Sequence, residues 1–277
     1  MNKGILYIVA TPIGNLSDIT FRAIEILKTV DIIACEDTRV TQKLLNHFDI
    51  RTKTISCHKF SEQKRSGEII DKLNNGMNVA LVTYAGTPLI SDPGSVLIKN
   101  VRNENIKIVP IVGACAAIAL MQSVENCGRF SFIGFFPQKK EDINSLLDII
   151  YFSDIVFYEA ANRILNTLDV IKETFGDKVN ISIGRELTKK FEDINSLKIN
   201  DMINYLKSNP LKGEIVGIVH KKEEEKENTA INFQIKKLLS KGFSAKDVSI
   251  ILSELDMGNK NDIYKLAIRI SSDTVVS

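Results

Sequence analysis

"ILYIVATPIGNLSDITFRAIEILKTVDIIACE", Ile5 to Glu36, reads as strand, helix, strand. An apolar run stops at Thr11-Pro12, a segment of helical period follows over 18–30, and a second apolar run closes the unit. Within that helix Phe21, Ile24, Leu27 and Val30 repeat at three-residue spacing and are expected to form its buried stripe. The alternation continues with helix 39–48, "TISCH", helix 62–75, "VALVT", helix 94–104 and "IKIVPIV". Strands separated by helices of this length predict βα units on a mostly parallel sheet.

A second series starts near Phe130: "FSFIGF", helix 141–152, "DIVFYE", helix 162–175, "KVNISIG", helix 200–208 and "EIVGIVH". It is again α/β, with looser alternation. The charged stretch from Lys221 to Asn228 reads as a linker, and the remainder as two or three short helices. There Gly242 ends the first, Ser244 caps the second, and Gly258-Asn259 turns into a third containing Tyr264. The expected organisation is therefore an α/β domain over 1–117, a second over 118–222 and a helical tail over 229–277. A ligand cleft is expected between the first two, because small-molecule sites favour domain interfaces and the C-terminal ends of strands.

The net charge of +2 on 277 residues does not announce a nucleic-acid partner, so any such partner must be held by local Lys and Arg clusters. Lys139-Lys140, Lys189-Lys190 and the lysines of the tail are the candidates. Cys35, Cys57, Cys115 and Cys127 are scattered, without metal-ligand spacing, which points to a reducing compartment and to neither a disulfide framework nor a metal site. "ILYIVA" is too short for a signal-peptide core and no run approaches a membrane span, so a cytoplasmic protein is expected.

Three strand ends carry unusual loops. "ATPIGNL" offers Gly14 and Asn15 for positive φ and close backbone approach. "ACEDTR" sets Glu36, Asp37 and Arg39 directly after a strand. "TYAGTPLISDPG" ends with Asp92, expected to cap a helix whose first position is Pro93. No Gly-Lys-Ser/Thr follows, and no Lys or Arg lies between Val79 and Ile98, so this last loop suits a neutral or cationic ligand better than a pyrophosphate. A sulfonium qualifies.

"LYIVATPIGNLSDITFRAIEILKTVDIIACEDTR", "AGTPLISDPG", "GFFPQKK", "RELTKKFED" and "KGEIVGIV", in this order from about Gly4 to Val219, closely resemble the ribosomal RNA small-subunit methyltransferase I family. That family belongs to the tetrapyrrole-methylase-like, class III, S-adenosylmethionine-dependent methyltransferases. The tail is similar to the helix-turn-helix-like module that often ends its members. The resemblance implies two α/β domains with S-adenosylmethionine between them, a homodimer, and small-subunit ribosomal RNA as partner rather than DNA or a membrane. It implies methylation of the ribose 2′-hydroxyl of a cytidine in the decoding region. A corrin-precursor C-methyltransferase of the same fold and a non-catalytic RNA- or nucleotide-binding member remain as alternatives. The helical tail and the "EDTR" and "RELTK" loops argue against the first of these.

On this reading the cofactor contacts are Thr11, Pro12, Gly14, Tyr84, Gly86, Thr87, Pro88, Ser91, Asp92, Gly113 and Ala114, with the loop from Pro210 to Glu214 closing the adenine side. The catalytic candidates are Glu36, Asp37, Arg39, Arg185, Glu186 and Lys189, joined at the polar end by Glu159 and Arg163. Arg185 and Lys189 are expected to face RNA phosphate, and Glu186 to accept a proton or orient the ribose. His58 is a weaker candidate for substrate contact. The chain departs from the family pattern at Tyr84, where an Asp is usual, at Val112-Gly113-Ala114-Cys115-Ala116 for Pro-Gly-Pro-Ser-Ala, and at Glu159-Ala160-Ala161-Asn162-Arg163 for Glu-Ser-Pro-His-Arg.

Overall fold

The computed structural model describes residues 2–58, 62–125, 128–150, 152–209, 213–221 and 229–273. Strands β1 (Ile5–Val9), β2 (Ile32–Cys35), β3 (Lys53–Ser56), β4 (Val79–Val82) and β5 (Lys107–Ile111) form one sheet in the order β3-β2-β4-β1-β5. Every pairing in it is parallel. The period-2 alternation of the strands divides their side chains between two cores. Leu6, Ile8, Ala34, Val79 and Leu81 pack under α3 (Glu62–Asn74) and α4 (Ser95–Asn103), through Ile69, Leu73, Leu97 and Val101. Val9, Ile33, Cys35, Ala80 and Val82 pack under α1 (Phe21–Thr29) and α2 (Thr38–His47), through Ala23, Leu27 and Leu45. Burial on both faces is why β2 and β4 read as unbroken apolar runs.

Two local expectations are corrected. Phe21 is 95% exposed, whereas Ala23, Leu27 and Val30 are buried. A strict three-residue repeat drifts by about 60° per step on an α-helix, so Phe21 and Val30 sit on opposite sides. The second correction concerns Asp92. Helix α4 begins at Ser95 behind Gly94, with no side-chain cap of its own. Its free N–H groups at Val96 and Leu97 donate instead to Glu62 Oε1 of α3, at 2.8 and 3.3 Å. A carboxylate distant in sequence has taken the capping role, and Asp92 is released from it.

The second sheet is mixed. Strands β6 (Phe130–Phe135), β7 (Asp154–Ala160), β8 (Asn180–Arg185), β9 (Asp193–Lys198) and β10 (Glu214–Val219) run in the order β6-β7-β10-β8-β9. β6 and β7 are parallel, and the other pairs antiparallel. One face, with Ile155, Phe157, Ile181 and Ile183, packs on α6 (Lys140–Ile149), α7 (Ile164–Phe175) and α8 (Ile199–Ser208). The other, with Val156, Val216 and Ile218, packs on α5 (Ala116–Met121). α5 and β9 have no counterpart among the predicted elements. β9 is a half-exposed edge strand of mixed polarity, and α5 is under two turns, so neither shows a clear period.

Ser182 Oγ lies 2.6 Å from both Ser196 Oγ and His220 Nε2, and His220 Nδ1 lies 3.8 Å from Asp154 Oδ2. The residue types match a nucleophile triad, but Ser182 is fully buried and no substrate reaches it. The cluster links β7, β8, β9 and the end of β10.

Helices α9 (Thr229–Ser240), α10 (Ala245–Glu254) and α11 (Lys260–Asp273) enclose a small core of Ile235, Val248, Leu252, Ile263 and Ala267. Ser244 and Asp247 form a capping box on α10, and Gly242 with φ +89° ends α9. The expected linker falls almost wholly outside the described residues, as does Cys127. No helix among the described residues is long and apolar enough to cross a membrane.

Candidate functional site

Because all strands of the first sheet run one way, the loops after β1, β2, β4 and β5 emerge on a single edge. Short contacts then knit them together. Thr11 and Gly86 exchange backbone hydrogen bonds of 2.9 and 3.0 Å, joining the loops after β1 and β4. The Thr87 hydroxyl donates to the Ala114 carbonyl at 2.8 Å, adding the loop after β5. The Asn15 N–H donates to Thr188 Oγ1 at 3.1 Å, reaching the segment after β8 in the other sheet. At this crossing a Cβ on Gly14 would stand 2.4 Å from Lys189 Cγ and 3.0 Å from the Leu187 carbonyl oxygen. Neither Gly14 nor Asn15 has positive φ, so the loop uses the small size of Gly14 rather than its conformational freedom.

Between the two sheets lies a cavity of about 290 Å³. The first sheet's loops line it with Ile13, Tyr84, Gly86, Thr87, Ile90, Ser91 and Asp92; the second sheet contributes Phe135, Tyr158, Glu159, Glu186, Leu187, Lys189, Glu214 and Val216. Ser91 and Glu186 of the wall, and Leu89 and Thr188 in the same loops, hold uncommon backbone conformations, with φ of 69°, 50°, 75° and 66°. Such non-glycine residues persist only where the surroundings fix them, and they concentrate at functional sites.

Of the expected cofactor contacts, Tyr84, Gly86, Thr87, Ser91 and Asp92 line the cavity. Thr11, Gly14 and Ala114 support its walls through the contacts just given. Pro12 and Pro88 lie in the same loops outside the lining, and Gly113 packs with its Cβ direction 2.9 Å from Ala10 Cβ. Of the expected catalytic residues, Glu186 and Lys189 line the cavity and form an ion pair of 3.0 Å. Glu36 is outside the lining, with Oε2 accepting the Tyr84 N–H at 3.4 Å. Asp37 caps α2 and pairs with Arg39 at 2.9 Å, also outside. Hydrogen bonds from Arg39 hold the Asp37 carboxyl down to about 2. Arg185 ends β8 outside the lining, with Nε buried and without a hydrogen-bond partner among the described residues. Gly213 and Glu214 border the cavity, whereas 210–212 of the expected closing loop lie outside the described residues. His58 is not in the lining.

Sequence reasoning missed Phe135 and Tyr158. Alternation along β7 would have found Tyr158, since it shares a face with Val156 opposite Ile155 and Phe157. Its hydroxyl accepts the Ala117 N–H at 3.4 Å, and burial holds the phenol protonated well above its usual range.

The acids of the cavity differ in what they meet. Glu159 is fully buried and saturated, accepting the Ala160 N–H at 2.8 Å, the Arg163 guanidinium at 3.1 Å and the Thr167 hydroxyl at 2.7 Å. Glu186 has Lys189. Asp92 has no ion-pair partner among the described residues. Burial, then repulsion from Glu36, push its carboxyl up to about 6 against the help of the Thr83 hydroxyl, with Glu214 adding repulsion. Among the described residues, Lys189, already paired, is the one Lys or Arg in the lining. The cavity therefore repels phosphate and favours a cation. The residues fit S-adenosylmethionine: apolar walls at Ile13, Leu187 and Val216 for the adenine, the buried Thr11 hydroxyl without a partner among the described residues, and an excess of carboxylate for the sulfonium.

The raised Asp92 value carries a stability consequence. The folded state holds this proton more tightly than the unfolded chain, so the ionised carboxylate destabilises the fold above pH 6. That penalty fades as pH falls towards 4. Asp92→Asn is expected to stabilise the protein by about 1–2 kcal/mol at pH 7.5, after allowance for partial solvent exposure, and to leave it unchanged near pH 4. Thermal melts at the two pH values check this.

The sequence profile of the tetrapyrrole (corrin/porphyrin) methylases matches residues 5–202. A ribosomal RNA small subunit methyltransferase I from Vibrio cholerae is 42% identical, over 94% of this chain and 93% of its own. The protein of that name from Escherichia coli O157:H7 is 39% identical, over 96% of each chain. Among solved structures, cobalt precorrin-4 methyltransferase, a cobalamin biosynthetic enzyme, superposes with a TM-score of 0.61 at 15% identity, over 78% of this chain and 94% of its own. A diphthine synthase superposes equally, with a TM-score of 0.61 at 12% identity, over 80% of this chain and 92% of its own.

Proposed function

Because this chain belongs to the ribosomal RNA small subunit methyltransferase I family of tetrapyrrole methylases, we propose that it methylates a ribose 2′-hydroxyl of a cytidine in the decoding region. It is an S-adenosylmethionine-dependent methyltransferase acting on small-subunit ribosomal RNA. We propose that it works in the cytoplasm as a homodimer. The single observation that carries the reading is the cavity between the two sheets, apolar in its walls and short of cations among its described residues, in a chain that matches these relatives over nearly its full length.

When bound, S-adenosylmethionine supplies an electrophilic methyl group and leaves as a neutral thioether. The protein's task is to place the acceptor oxygen in line and remove its proton, and positioning supplies most of the gain. Tyr84, Gly86, Thr87 and Ser91 would hold the cofactor, largely through backbone groups. Glu186, kept in place by Lys189, would orient the ribose. Exposed Lys190, beside the Phe191 ring at 5.6 Å, would meet RNA phosphate.

Transfer of radiolabel from S-adenosylmethionine to small ribosomal subunits lacking the mark tests the activity. Resistance of the labelled linkage to alkali tests the 2′-oxygen, since a methylated 2′-hydroxyl cannot attack the neighbouring phosphodiester. An alkali-labile labelled linkage overturns the ribose assignment. Glu186→Ala is expected to lower turnover by about 10–100-fold with cofactor affinity nearly unchanged. Gly86→Val is expected to do the reverse, because Gly86 has φ +82° and a Cβ there would meet Ile13 at 3.2 Å. Steady-state kinetics beside cofactor calorimetry separate the two.

A further inference from the structure

Methylation of a hydroxyl leaves one proton to be placed, and the cavity offers few groups to receive it. No histidine lines it. Tyr158 stays protonated and Lys189 is held by Glu186. Glu159 has both oxygens occupied, by Ala160, Arg163 and Thr167. Glu186 is already engaged in the ion pair with Lys189. Glu214 is exposed at the rim in water. Among the described residues of the lining, Asp92 alone combines partial burial with the lack of a cationic partner.

Its availability is built by the fold. An Asp before Pro-Gly and a helix would ordinarily spend its carboxylate on the helix N-terminus. Here Glu62 occupies the first N–H groups of α4, and Ser91 at φ +69° precedes Asp92 in the wall of the cavity. Glu36 after β2 and Glu214 at the start of β10 act on it with like charge, the nearby Thr83 hydroxyl favours its ionised form, and Tyr158 of β7 lies within electrostatic reach.

Resting on the 2′-O-methylation reading, we propose that Asp92 is the proton acceptor of methyl transfer. The acceptor oxygen forms the new O–C bond while its O–H bond breaks. That bond's electron pair stays on oxygen, and the proton passes to an Asp92 oxygen. The S–C pair leaves with the sulfur. Before transfer the carboxylate faces a cation, and afterwards the cation is gone and the acid is neutral. Net charge in the cavity is unchanged, and solvent need not reorganise about a new charge.

The test uses proton counting as well as rate. At pH 6 Asp92 is about half protonated, so binding of the cationic cofactor is expected to release up to about half a proton. Calorimetry in two buffers of different ionisation enthalpy reads this release. S-adenosylhomocysteine, lacking the sulfonium, is expected to release almost none. Asp92→Asn is expected to abolish the release and to slow single-turnover methylation by at least about 100-fold, with S-adenosylhomocysteine affinity within about 3-fold of wild type. Glu36→Gln, which removes one repulsion, is expected to move the midpoint of proton release to lower pH, independently of whether Asp92→Asn folds. Wild-type turnover in Asp92→Asn, no proton release on cofactor binding, or an unmoved midpoint in Glu36→Gln each overturns the proposal. An alkali-labile label with Asp92-dependent proton release would instead overturn the 2′-O reading and leave the behaviour of Asp92 standing.

Discussion

Gly14→Val is expected to weaken S-adenosylmethionine binding by one to two orders of magnitude while lowering the melting temperature only slightly. Gly14 is exposed, so the substitution disturbs no core. A Cβ at this position falls 2.4 Å from Lys189 Cγ, 2.9 Å from Thr188 Oγ1 and 3.0 Å from the Leu187 carbonyl oxygen. Lys189 can swing away, but the Leu187 backbone cannot, and valine adds two further methyl groups. The loop after β1 must therefore lift off the loop after β8 and break the Asn15 to Thr188 hydrogen bond. Ile13 and Leu187, which line the cavity from the first and the second sheet and belong to one apolar cluster, move apart with it. A displacement near 1 Å in a positioned site is enough for a loss of about 100-fold. Calorimetry with the cofactor and a thermal melt on the same sample check both halves, and unchanged affinity would show that the crossing does not shape the site.

Glu159→Ala is expected to have the opposite profile, a large loss of stability. The Glu159 side chain is fully buried and accepts hydrogen bonds from Ala160, Arg163 and Thr167. Removing it strands the Thr167 hydroxyl in the core and leaves the partly buried Arg163 guanidinium without its counter-charge. Removing one partner of a buried pair costs about 3–5 kcal/mol. The exposure of Arg163, 36% of its side chain, argues for the lower end, about 3 kcal/mol. For a protein of this size that lowers the melting temperature by roughly 6–12 °C. Glu159→Gln, which keeps an acceptor for Arg163, should recover a part of the loss. Equal melting temperatures for Glu159→Ala and wild type would show that the network adds nothing to stability.

These two residues also mark how far the sequence could be read. The sequence marks Gly14 for positive φ and for close backbone approach to a ligand; its φ is not positive, and its close approach is to a loop more than 170 residues away in sequence. The sequence puts Glu159 at the polar end of the cleft as a candidate for chemistry. The structure surrounds it with donors and leaves it nothing to give a substrate. Glu36, Asp37 and Arg39 show the same limit, since a strand-end position brought all three to the correct edge of the sheet. Which of them meets the cavity depended on side-chain pairing. Asp37 and Arg39 satisfy each other, and Glu36 is turned to the Tyr84 backbone.

What the sequence determined by itself is whatever has a short period or a fixed spacing. Short apolar runs produced the strands, helical periodicity the helices, and the order of βα units the parallel first sheet with its loops on one edge. Ser244, Gly242 and Gly258 placed the turns of the tail, because capping is decided within four residues. Tertiary structure alone decided the insertion of β10 between β7 and β8, the edge strand β9, the exposure of Phe21 and the freedom of Asp92. Each depends on a partner distant in the chain. A carboxylate caps, pairs or waits for a proton according to which donors reach it and how much water remains around it. Both are properties of the assembled fold, not of the residues on either side.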